Sequence, residues 1–392
     1  MKKFVAPLVI LIIVVIGIWY VNSKGSEIKD GSDSAAITIN SNESRSAPND
    51  FPEVSSLAQN LDTPWGMVFL PDGKILVTER KGTVRLIENG SLKDEPVALI
   101  SNSQEIGEGG LLGIELHPGF AKASSGEPNF SSNNYIYLYY TYQESSGSTL
   151  NRVVRMKYLD GKLNNEEVIV DKIPGSANHN GGRIKFGPDK LLYIGTGDAQ
   201  DPSRAQDINS LSGKILRVTD EGKPAPGNPY DNLVYSLGHR NVQGLTWNQD
   251  GTLFTTEHGR SGALSGYDEI NQVESGKNYG WPEIQGDQTK NNMTVPIKHS
   301  GATTTWAPSG IAYLNGSLYF GGLRGESLYQ AILSGNEVVE VKTHFKAKFG
   351  RIRDVVVGPD NMLYISTSNL DGRGSPAKSD DQILKINPSK LQ

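Results

Sequence analysis

The sequence has no cysteine among its 392 residues. A disulfide framework, a thiolate nucleophile, a thiolate zinc site and a cysteine-ligated iron–sulfur cluster are therefore excluded together. A c-type haem and a lipid anchor on cysteine are excluded for the same reason.

Positive charge is also not in excess, because 38 Lys and Arg stand against 43 Asp and Glu, a net charge of −5. This balance argues against a general nucleic-acid binder. Several catalytic motifs are absent too: there is no Gly-Lys-Ser/Thr phosphate loop, no His-Glu-x-x-His zinc motif and no Gly-x-Ser-x-Gly elbow. The Gly-Glu-Gly at residues 107–109 has Leu112 where a dinucleotide fingerprint needs its third glycine.

One long apolar run stands at the N-terminus, over residues 4–21, directly after Lys2 and Lys3. Its length favours an uncleaved membrane anchor, and the alternative is a cleaved signal peptide. The positive-inside rule places the rest of the chain on the extracytoplasmic side. We therefore predict a signal-anchor or signal peptide at 1–22, a flexible polar tether at 23–50 and a folded domain at 51–392.

The remaining chain is rich in glycine, 44 residues in all, and it contains a repeated unit of strand, tight turn and strand. Five copies lie at residues 68–77, 184–193, 245–254, 311–319 and 355–364. A sixth, degenerate copy begins at residue 112 and resumes at 135 after a polar insertion near 124–134. Asp or Asn beside Gly, Lys or Asn in each turn tolerates positive φ, which is typical of hairpins.

Six such units in about 340 residues favour an all-β fold, a six-bladed β-propeller of four-stranded antiparallel sheets. Neighbouring blades then bury each other's faces, and a ligand binds over the central channel. The alternatives are a β-sandwich or two stacked barrels.

Polar clusters lie in the loops before several hairpins, where such a scaffold carries its function. His179, in Asn-His-Asn-Gly-Gly-Arg at 178–183, is a candidate general base or else a structural hydrogen-bonding residue. Arg240 offers a fixed cation for an anion or a carbonyl oxygen, or else pairs with a neighbouring blade. Arg351 and Arg353 suit a polycarboxylate or a phosphate. The acidic loop at 257–271 could bind a hard cation or could simply be solvated.

In order along the chain, these clusters resemble the soluble glucose and aldose sugar dehydrogenases that depend on pyrroloquinoline quinone (PQQ). The resemblance covers residues 62–388. The matching stretches are Leu-Asp-Thr-Pro-Trp-Gly at 61–66, Gly-Glu-Gly-Gly-Leu-Leu-Gly at 107–113, the His179 segment, Gly-His-Arg-Asn at 238–241, Asn-Tyr-Gly-Trp-Pro at 278–282, Arg-Ile-Arg-Asp at 351–354 and Thr-Ser-Asn-Leu-Asp-Gly-Arg-Gly at 367–374.

The resemblance implies a six-bladed propeller that uses PQQ and calcium to oxidise the anomeric hydroxyl of an aldose sugar to the lactone. His179 is then the base and Arg240 stabilises negative charge on the quinone. The residues implied in cofactor binding are Glu108, Asn241, Arg324, Arg351 and Arg353. Backbone oxygens of Gly259 and Arg260 are implied for calcium, and a second calcium is implied around Asp268, Glu269 and Tyr279.

Some positions depart from the glucose-oxidising members: Glu108 stands where some have Gln, Asn178 where some have Asp, Arg324 where some have Lys, and Arg260 where some have Pro. We expect the first three departures to affect substrate preference more than chemistry, whereas a backbone carbonyl ligand survives the exchange at Arg260. The reduced cofactor would pass its electrons to a separate external acceptor. The alternatives are a non-catalytic sugar-binding or adhesion propeller and a metal-dependent lactonase on the same scaffold.

Overall fold

The structure is a computed structural model that describes residues 51–120, 133–262 and 265–391. Over these ranges the chain forms six antiparallel sheets, and their inner strands contact one another in a closed ring. This architecture is a six-bladed β-propeller, so the predicted fold is confirmed.

The strands are numbered in chain order. Strand β1 (Val54–Ala58) precedes the first sheet and pairs elsewhere. The first sheet contains β2 (Pro64–Phe69), β3 (Ile75–Glu79), β4 (Thr83–Glu88) and β5 (Ser91–Leu92), and β6 (Ala98–Leu99) pairs with β4. The second contains β7 (Leu111–Leu116), β8 (Tyr135–Gln143), β9 (Thr149–Leu159) and β10 (Lys162–Pro174). The third contains β11 (Ile184–Phe186), β12 (Leu192–Gly195), β13 (Lys214–Val218) and β14 (Val234–Leu237).

The fourth sheet contains β15 (Val242–Trp247), β16 (Leu253–Glu257), β17 (Glu269–Val273) and β18 (Lys298–His299). The fifth contains β19 (Pro308–Leu314), β20 (Ser317–Gly322), β21 (Ser327–Ser334) and β22 (Glu337–His344). The sixth contains β23 (Ile352–Val357), β24 (Leu363–Thr367) and β25 (Ile383–Ile386). A short helix, α1 (Ser203–Gln206), lies between β12 and β13, and a 3₁₀ turn, Pro388–Lys390, follows β25.

All five predicted hairpins join the first and second strands of a sheet, and the degenerate copy corresponds to the pair β7 and β8. The turns contain the expected left-handed residues, for example Gly73 at φ 87° and Asn361 at φ 57°. Glycine, and more rarely Asn, adopts this conformation at little steric cost, which explains why the turn residues locate the hairpins.

The sixth sheet is completed by β1, which pairs with β25 so that Val54 lies opposite Ile386. The two ends of the described chain therefore form one blade, and this pairing closes the ring. The sequence analysis did not identify this strand.

The apolar core lies between adjacent sheets rather than at the centre of the ring. Between the second and third sheets, for example, Tyr137 and Tyr139 are fully buried and pack with Ile184 and Leu216. The ring thus holds its inner strands rigidly, and these strands in turn position the loops at the two mouths of the channel.

The predicted segment at 1–22 and the predicted tether at 23–50 lie outside the described residues. Among the residues that the structure describes, no helix is long and apolar enough to cross a bilayer. The domain assignment of residues 1–50 therefore stays a prediction.

Candidate active site

A cavity of about 610 Å³ opens at one mouth of the channel, where the loops that enter the inner strands converge. This volume is in the range of small-molecule and cofactor sites. Nine of the residues predicted from the sequence line the cavity: Glu108, His179, Arg240, Gly259, Arg260, Asp268, Arg324, Arg351 and Arg353. The predicted residues Asn241, Glu269 and Tyr279 do not.

His179 precedes β11 and has a left-handed backbone, with φ 60°. Its ring Nδ1 is 2.8 Å from Oδ1 of Asp198, and its Nε2 is 2.9 Å from Nη2 of Arg240. Because a guanidinium can only donate, Nε2 accepts this bond, and the ring proton belongs on Nδ1, which donates to Asp198. The basic nitrogen of His179 therefore faces the side of the ring where Arg240 lies.

Asp198 is buried and fixes this orientation. Its Oδ2 accepts a hydrogen bond from Nε1 of Trp281 at 2.9 Å, and its Oδ1 also accepts one from the backbone N–H of Gln200 at 2.8 Å. The sequence analysis missed Asp198, which follows β12 in the stretch Gly-Thr-Gly-Asp. Only the pairing of the third sheet brings this stretch next to His179.

The backbone around Asp198 fits tightly against the His179 segment. A Cβ atom on Gly197 would lie 1.9 Å from the carbonyl oxygen of His179, so only glycine allows this approach. The following loop is held by Lys214, whose buried ammonium donates to the carbonyls of Arg204, Ala205 and Ser212 at 2.7, 3.0 and 2.7 Å. The loop that carries Asp198 is therefore fixed at both ends.

Arg240 is buried beside His179, and Ser261 accepts a second hydrogen bond from its Nη2 at 2.7 Å. Its backbone N–H donates to the buried carboxylate of Glu257, which also bonds Nδ1 of His239 at 2.9 Å. His239 therefore lies in the core behind the cavity wall, where it supports Arg240.

Two further guanidiniums lie deep in the cavity, and they are satisfied to different degrees. Arg351 donates twice to Oδ2 of Asp371, at 2.9 and 2.7 Å. Arg353 donates to Oε1 of Gln243 at 3.0 Å, and its buried Nε has no hydrogen-bond partner among the described residues. Burial, aided by the positive charge of Arg351, lowers the pKa of Arg353 to about 9. A buried cation in this condition is suited to an anionic ligand.

At the rim, Arg324 is exposed and donates to Ser265 Oγ at 3.1 Å. Glu108 forms an ion pair with Arg373, and its Oε2 accepts a hydrogen bond from the backbone N–H of His179 at 3.1 Å. Burial opposes ionisation of Glu108, but the charges on His258 and Arg373 outweigh it and lower the pKa of Glu108 to about 2. Arg373 is a further residue that the sequence analysis did not select.

Asn241 has a supporting position rather than a place on the cavity surface. Its Oδ1 accepts hydrogen bonds from Gly181 N at 3.0 Å and from Gln243 Nε2 at 3.3 Å. It thereby fixes the His179 loop and also the amide that holds Arg353. The predicted direct contact of Asn241 with a cofactor has no counterpart in the cavity lining.

A second, very small cavity of about 10 Å³ lies behind the Arg240 wall, where Gly259, Arg260, Glu257, Glu269 and Tyr279 line it. Among the described residues, four buried polar atoms in this lining have no hydrogen-bond partner: Arg240 Nε, His258 Nε2, Arg260 Nε and Gln285 Oε1. Burial and the neighbouring Glu257 raise the pKa of Glu269 to about 8. A polar cavity of this size holds one water molecule or one small ion.

Not all of the residues implied for calcium are free to bind it. Asp268 Oδ2 accepts hydrogen bonds from Thr305, Trp306 and Ala307, and the Tyr279 hydroxyl donates to the carbonyl of Gln272 at 2.6 Å. Across the described residues, no group of three or more His, Asp or Glu side chains is arranged to hold a metal ion. Any cation here would therefore rely on backbone oxygens together with Glu257 and Glu269.

Comparisons with known proteins show the family to which this chain is similar. The family model described as glucose/sorbosone dehydrogenase matches residues 61–376. The PQQ-bound form of an aldose sugar dehydrogenase from Streptomyces coelicolor superimposes with a TM-score of 0.77 at 38% identity, covering 85% of this chain and 97% of that one.

Two sequence relatives point the same way. Aldose sugar dehydrogenase YliI of Escherichia coli is 29% identical over 366 residues, which cover 86% of this chain and 92% of the relative. Quinoprotein glucose dehydrogenase B of Acinetobacter calcoaceticus is 31% identical over 264 residues, 59% of this chain and 52% of the relative.

Proposed function

The chain belongs to the glucose/sorbosone dehydrogenase family, and on this basis we propose that it oxidises an aldose at the anomeric carbon to the lactone, with PQQ and calcium. The observation that carries the proposal is the position of His179. Its proton-accepting Nε2 is hydrogen-bonded to the buried cation Arg240, both residues line the cavity, and Asp198 holds Nδ1. A binding protein has no need for a base oriented in this way.

The cavity fits a polyanionic cofactor. PQQ carries three carboxylates, and the lining of the cavity supplies Arg324, Arg351 and Arg353, the last of these with an unpartnered Nε. Arg351 is fixed by Asp371 and can still offer its remaining N–H groups. When bound, PQQ supplies a quinone that takes up the two electrons of a hydride.

His179 and its neighbours perform the proton transfer. Oxidation removes a hydride from the anomeric carbon and a proton from its hydroxyl, and the hydroxyl proton passes to Nε2 of His179. The sugar hydroxyl takes the place of Arg240 as the donor to Nε2. Asp198 then stabilises the imidazolium of His179 through Nδ1. Arg240 remains beside His179 as a fixed positive charge that would stabilise an oxygen on which negative charge develops.

Calcium prefers oxygen ligands, and the wall between the two cavities offers backbone oxygens. Among the described residues, the carbonyl of Arg260 accepts one long hydrogen bond, 3.3 Å from Gly266 N, and Gly259 lines both cavities. The backbone oxygens of Gly259 and Arg260 would hold one calcium ion, and Glu257 and Glu269 beside the small cavity would supply charged oxygen ligands to a second. Bound calcium would supply a positive charge close to Arg240.

The physiological setting follows from the predicted N-terminal segment. We propose an extracytoplasmic enzyme, tethered to the membrane if the apolar run at 4–21 is not cleaved, that passes electrons from reduced PQQ to an external acceptor. The absence of cysteine means that this acceptor is not a c-type haem on the same chain.

The test is reconstitution of the purified full-length protein with PQQ and calcium. The absorption spectrum should change on addition of PQQ, and an aldose should then reduce the bound cofactor. His179→Ala should bind PQQ as the wild type does but lose turnover. The matched control is His117→Asn, at a histidine outside the cavity that packs near Tyr137 and Phe186. Absence of PQQ binding in the wild-type protein would overturn the proposal.

A further inference from the structure

The ion pair between Glu108 and Arg373 joins two loops that are far apart in the sequence and meet at the rim of the cavity. Glu108 comes from the loop before β7, whereas Arg373 comes from the loop that follows β24. Arg373 also donates from Nη2 to Oδ1 of Asn178 at 3.0 Å. Its side chain is 54% exposed, while that of Glu108 is 24% exposed.

This pair lies directly beside the proton acceptor. The same carboxylate that binds Arg373 through Oε1 accepts the backbone N–H of His179 through Oε2. A sugar whose anomeric hydroxyl reaches Nε2 of His179 therefore places its other substituents within reach of the rim side chains. These include Asn178 and Gln200 as well as the ion pair.

The net charge of this ion pair depends on the ionisation of Glu108. Its carboxylate is ionised near neutral pH and occupies the guanidinium of Arg373, so the pair presents no net charge to a substrate. A substrate carboxylate that approached Arg373 would lie close to the ionised carboxylate of Glu108, and the two like charges would repel each other. With a neutral amide at position 108, Arg373 would be an uncompensated cation at the rim.

We propose that the Glu108–Arg373 pair sets the charge preference of the sugar site, admitting neutral aldoses and rejecting sugar acids. This rests on the proposed function, because it assigns substrate specificity to the same cavity. Glu108 discriminates by repulsion, a device that raises specificity without a new attractive contact. Arg373 is then a specificity-determining residue.

The test compares glucose with glucuronate, its analogue with a carboxylate at the far end of the ring. Glu108→Gln keeps an oxygen that can accept the N–H of His179, so the backbone of the base remains supported. We expect the ratio of kcat/KM for glucuronate to that for glucose to rise at least tenfold in Glu108→Gln. In the matched double variant Glu108→Gln/Arg373→Gln it should return to within about threefold of the wild-type ratio.

A binding measurement does not depend on turnover. Calorimetric titration of the cofactor-free proteins with glucuronate should show binding to Glu108→Gln that is at least tenfold tighter than to the wild type and than to Glu108→Gln/Arg373→Gln, which both keep the arginines deep in the cavity, and that weakens as NaCl is raised. If neither the binding nor the ratio changes in Glu108→Gln, the charge-preference proposal is wrong. If the wild type neither binds PQQ nor oxidises glucose, the proposed function fails, and the glucuronate titration still decides the role of the pair.

Discussion

Nδ1 of His179 lies 2.8 Å from Oδ1 of Asp198, and this contact determines which nitrogen of the ring is basic. The aspartate is buried and is held by Trp281 and by the backbone of Gln200, so it cannot rotate away without losing both bonds. The histidine is thereby fixed as the tautomer whose Nε2 can accept a proton.

Asp198→Asn should abolish most of the activity without loss of the fold. The amide of Asn can donate to Nδ1, which moves the ring proton to Nε2 and removes the acceptor. We expect kcat for aldose oxidation to fall roughly 10²–10⁴-fold, with PQQ affinity unchanged. Asp201→Asn in the same loop, at an exposed residue that pairs with Arg204, is the control. Wild-type kcat in Asp198→Asn would contradict the assigned role.

Arg351 and Arg353 should differ in their effects although both lie in the cavity. Arg353→Gln removes a cation with no paired carboxylate, so PQQ affinity should fall roughly tenfold or more with little loss of stability. Arg351→Gln leaves the buried carboxylate of Asp371 unpaired, so the melting temperature of this variant should fall as well. Excess PQQ should partly restore the rate of the double variant Arg351→Gln/Arg353→Gln. Spectroscopic titration with PQQ and thermal unfolding separate the two effects, with the exposed Arg204→Gln as control.

Gly197→Ala should disrupt the site because the new Cβ would clash with the carbonyl of His179. We expect a loss of unfolding free energy of roughly 2 kcal/mol or more, together with a large fall in kcat. Gly147→Ala is the control, since Gly147 has a positive φ but no atom within 4 Å of the Cβ that alanine would add, and it should cost only about 1 kcal/mol. Equal costs at the two positions would show that the backbone at Gly197 can move aside.

The pair of Glu108 and Arg373 should stabilise the fold in a pH-dependent way. The pKa of Glu108 is lowered to about 2 in the folded protein, so its contribution is complete above about pH 4.5 and is lost as the pH falls towards 2. The difference in unfolding free energy between the wild type and Glu108→Gln should be about 1 kcal/mol at pH 6, since water screens the half-exposed Arg373, and should shrink at pH 3. Urea unfolding at pH 6 and at pH 3 measures this difference in unfolding free energy. A difference that does not change with pH would count against the ion pair as its source.

Calcium should stabilise the protein through the small cavity. After treatment with a chelator, added calcium should raise the melting temperature of the wild type. The rise should need at least tenfold more calcium in Glu269→Gln, because a cation there loses a charged oxygen ligand. Glu221→Gln, at an exposed residue outside both cavities, should respond as the wild type does. Unchanged calcium dependence in Glu269→Gln would place the ion elsewhere.

The blade count and the hairpins could be predicted because each turn has its own local signal. Gly73 and Asn361 are readable in isolation, since few residues tolerate their backbone conformation. Strand β1 has no such signal: it is five residues long, and its partner β25 lies at the other end of the chain. Its place depends on tertiary pairing, which no local pattern encodes.

The residues of the site also divide into those that a local motif identifies and those that only the folded chain brings together. His179 and Arg240 stand in recognisable motifs and line the cavity as expected. Asp198 reaches His179 through the pairing of β11 with β12, and Arg373 reaches Glu108 from a loop far away in the sequence. Asn241 shares a motif with Arg240, but its side chain supports the His179 loop instead of lining the cavity. Spacing identifies which loops meet, whereas burial and packing decide which side chain of a loop faces the ligand.

The closure of the ring by β1 also sets the order of events during synthesis. Of the described strands, the ribosome releases β1 first and β25 last, so the sixth sheet is complete only after the strands of the other five sheets have emerged. Pairing over such a separation is slow compared with hairpin formation, because the loop entropy is lost before the contacts form. Arg353 lies in β23, the inner strand of that same sheet, and Arg351 directly precedes this strand. The cofactor pocket is therefore completed only after β25 has been synthesised, when the strands of the other five blades are already able to pair.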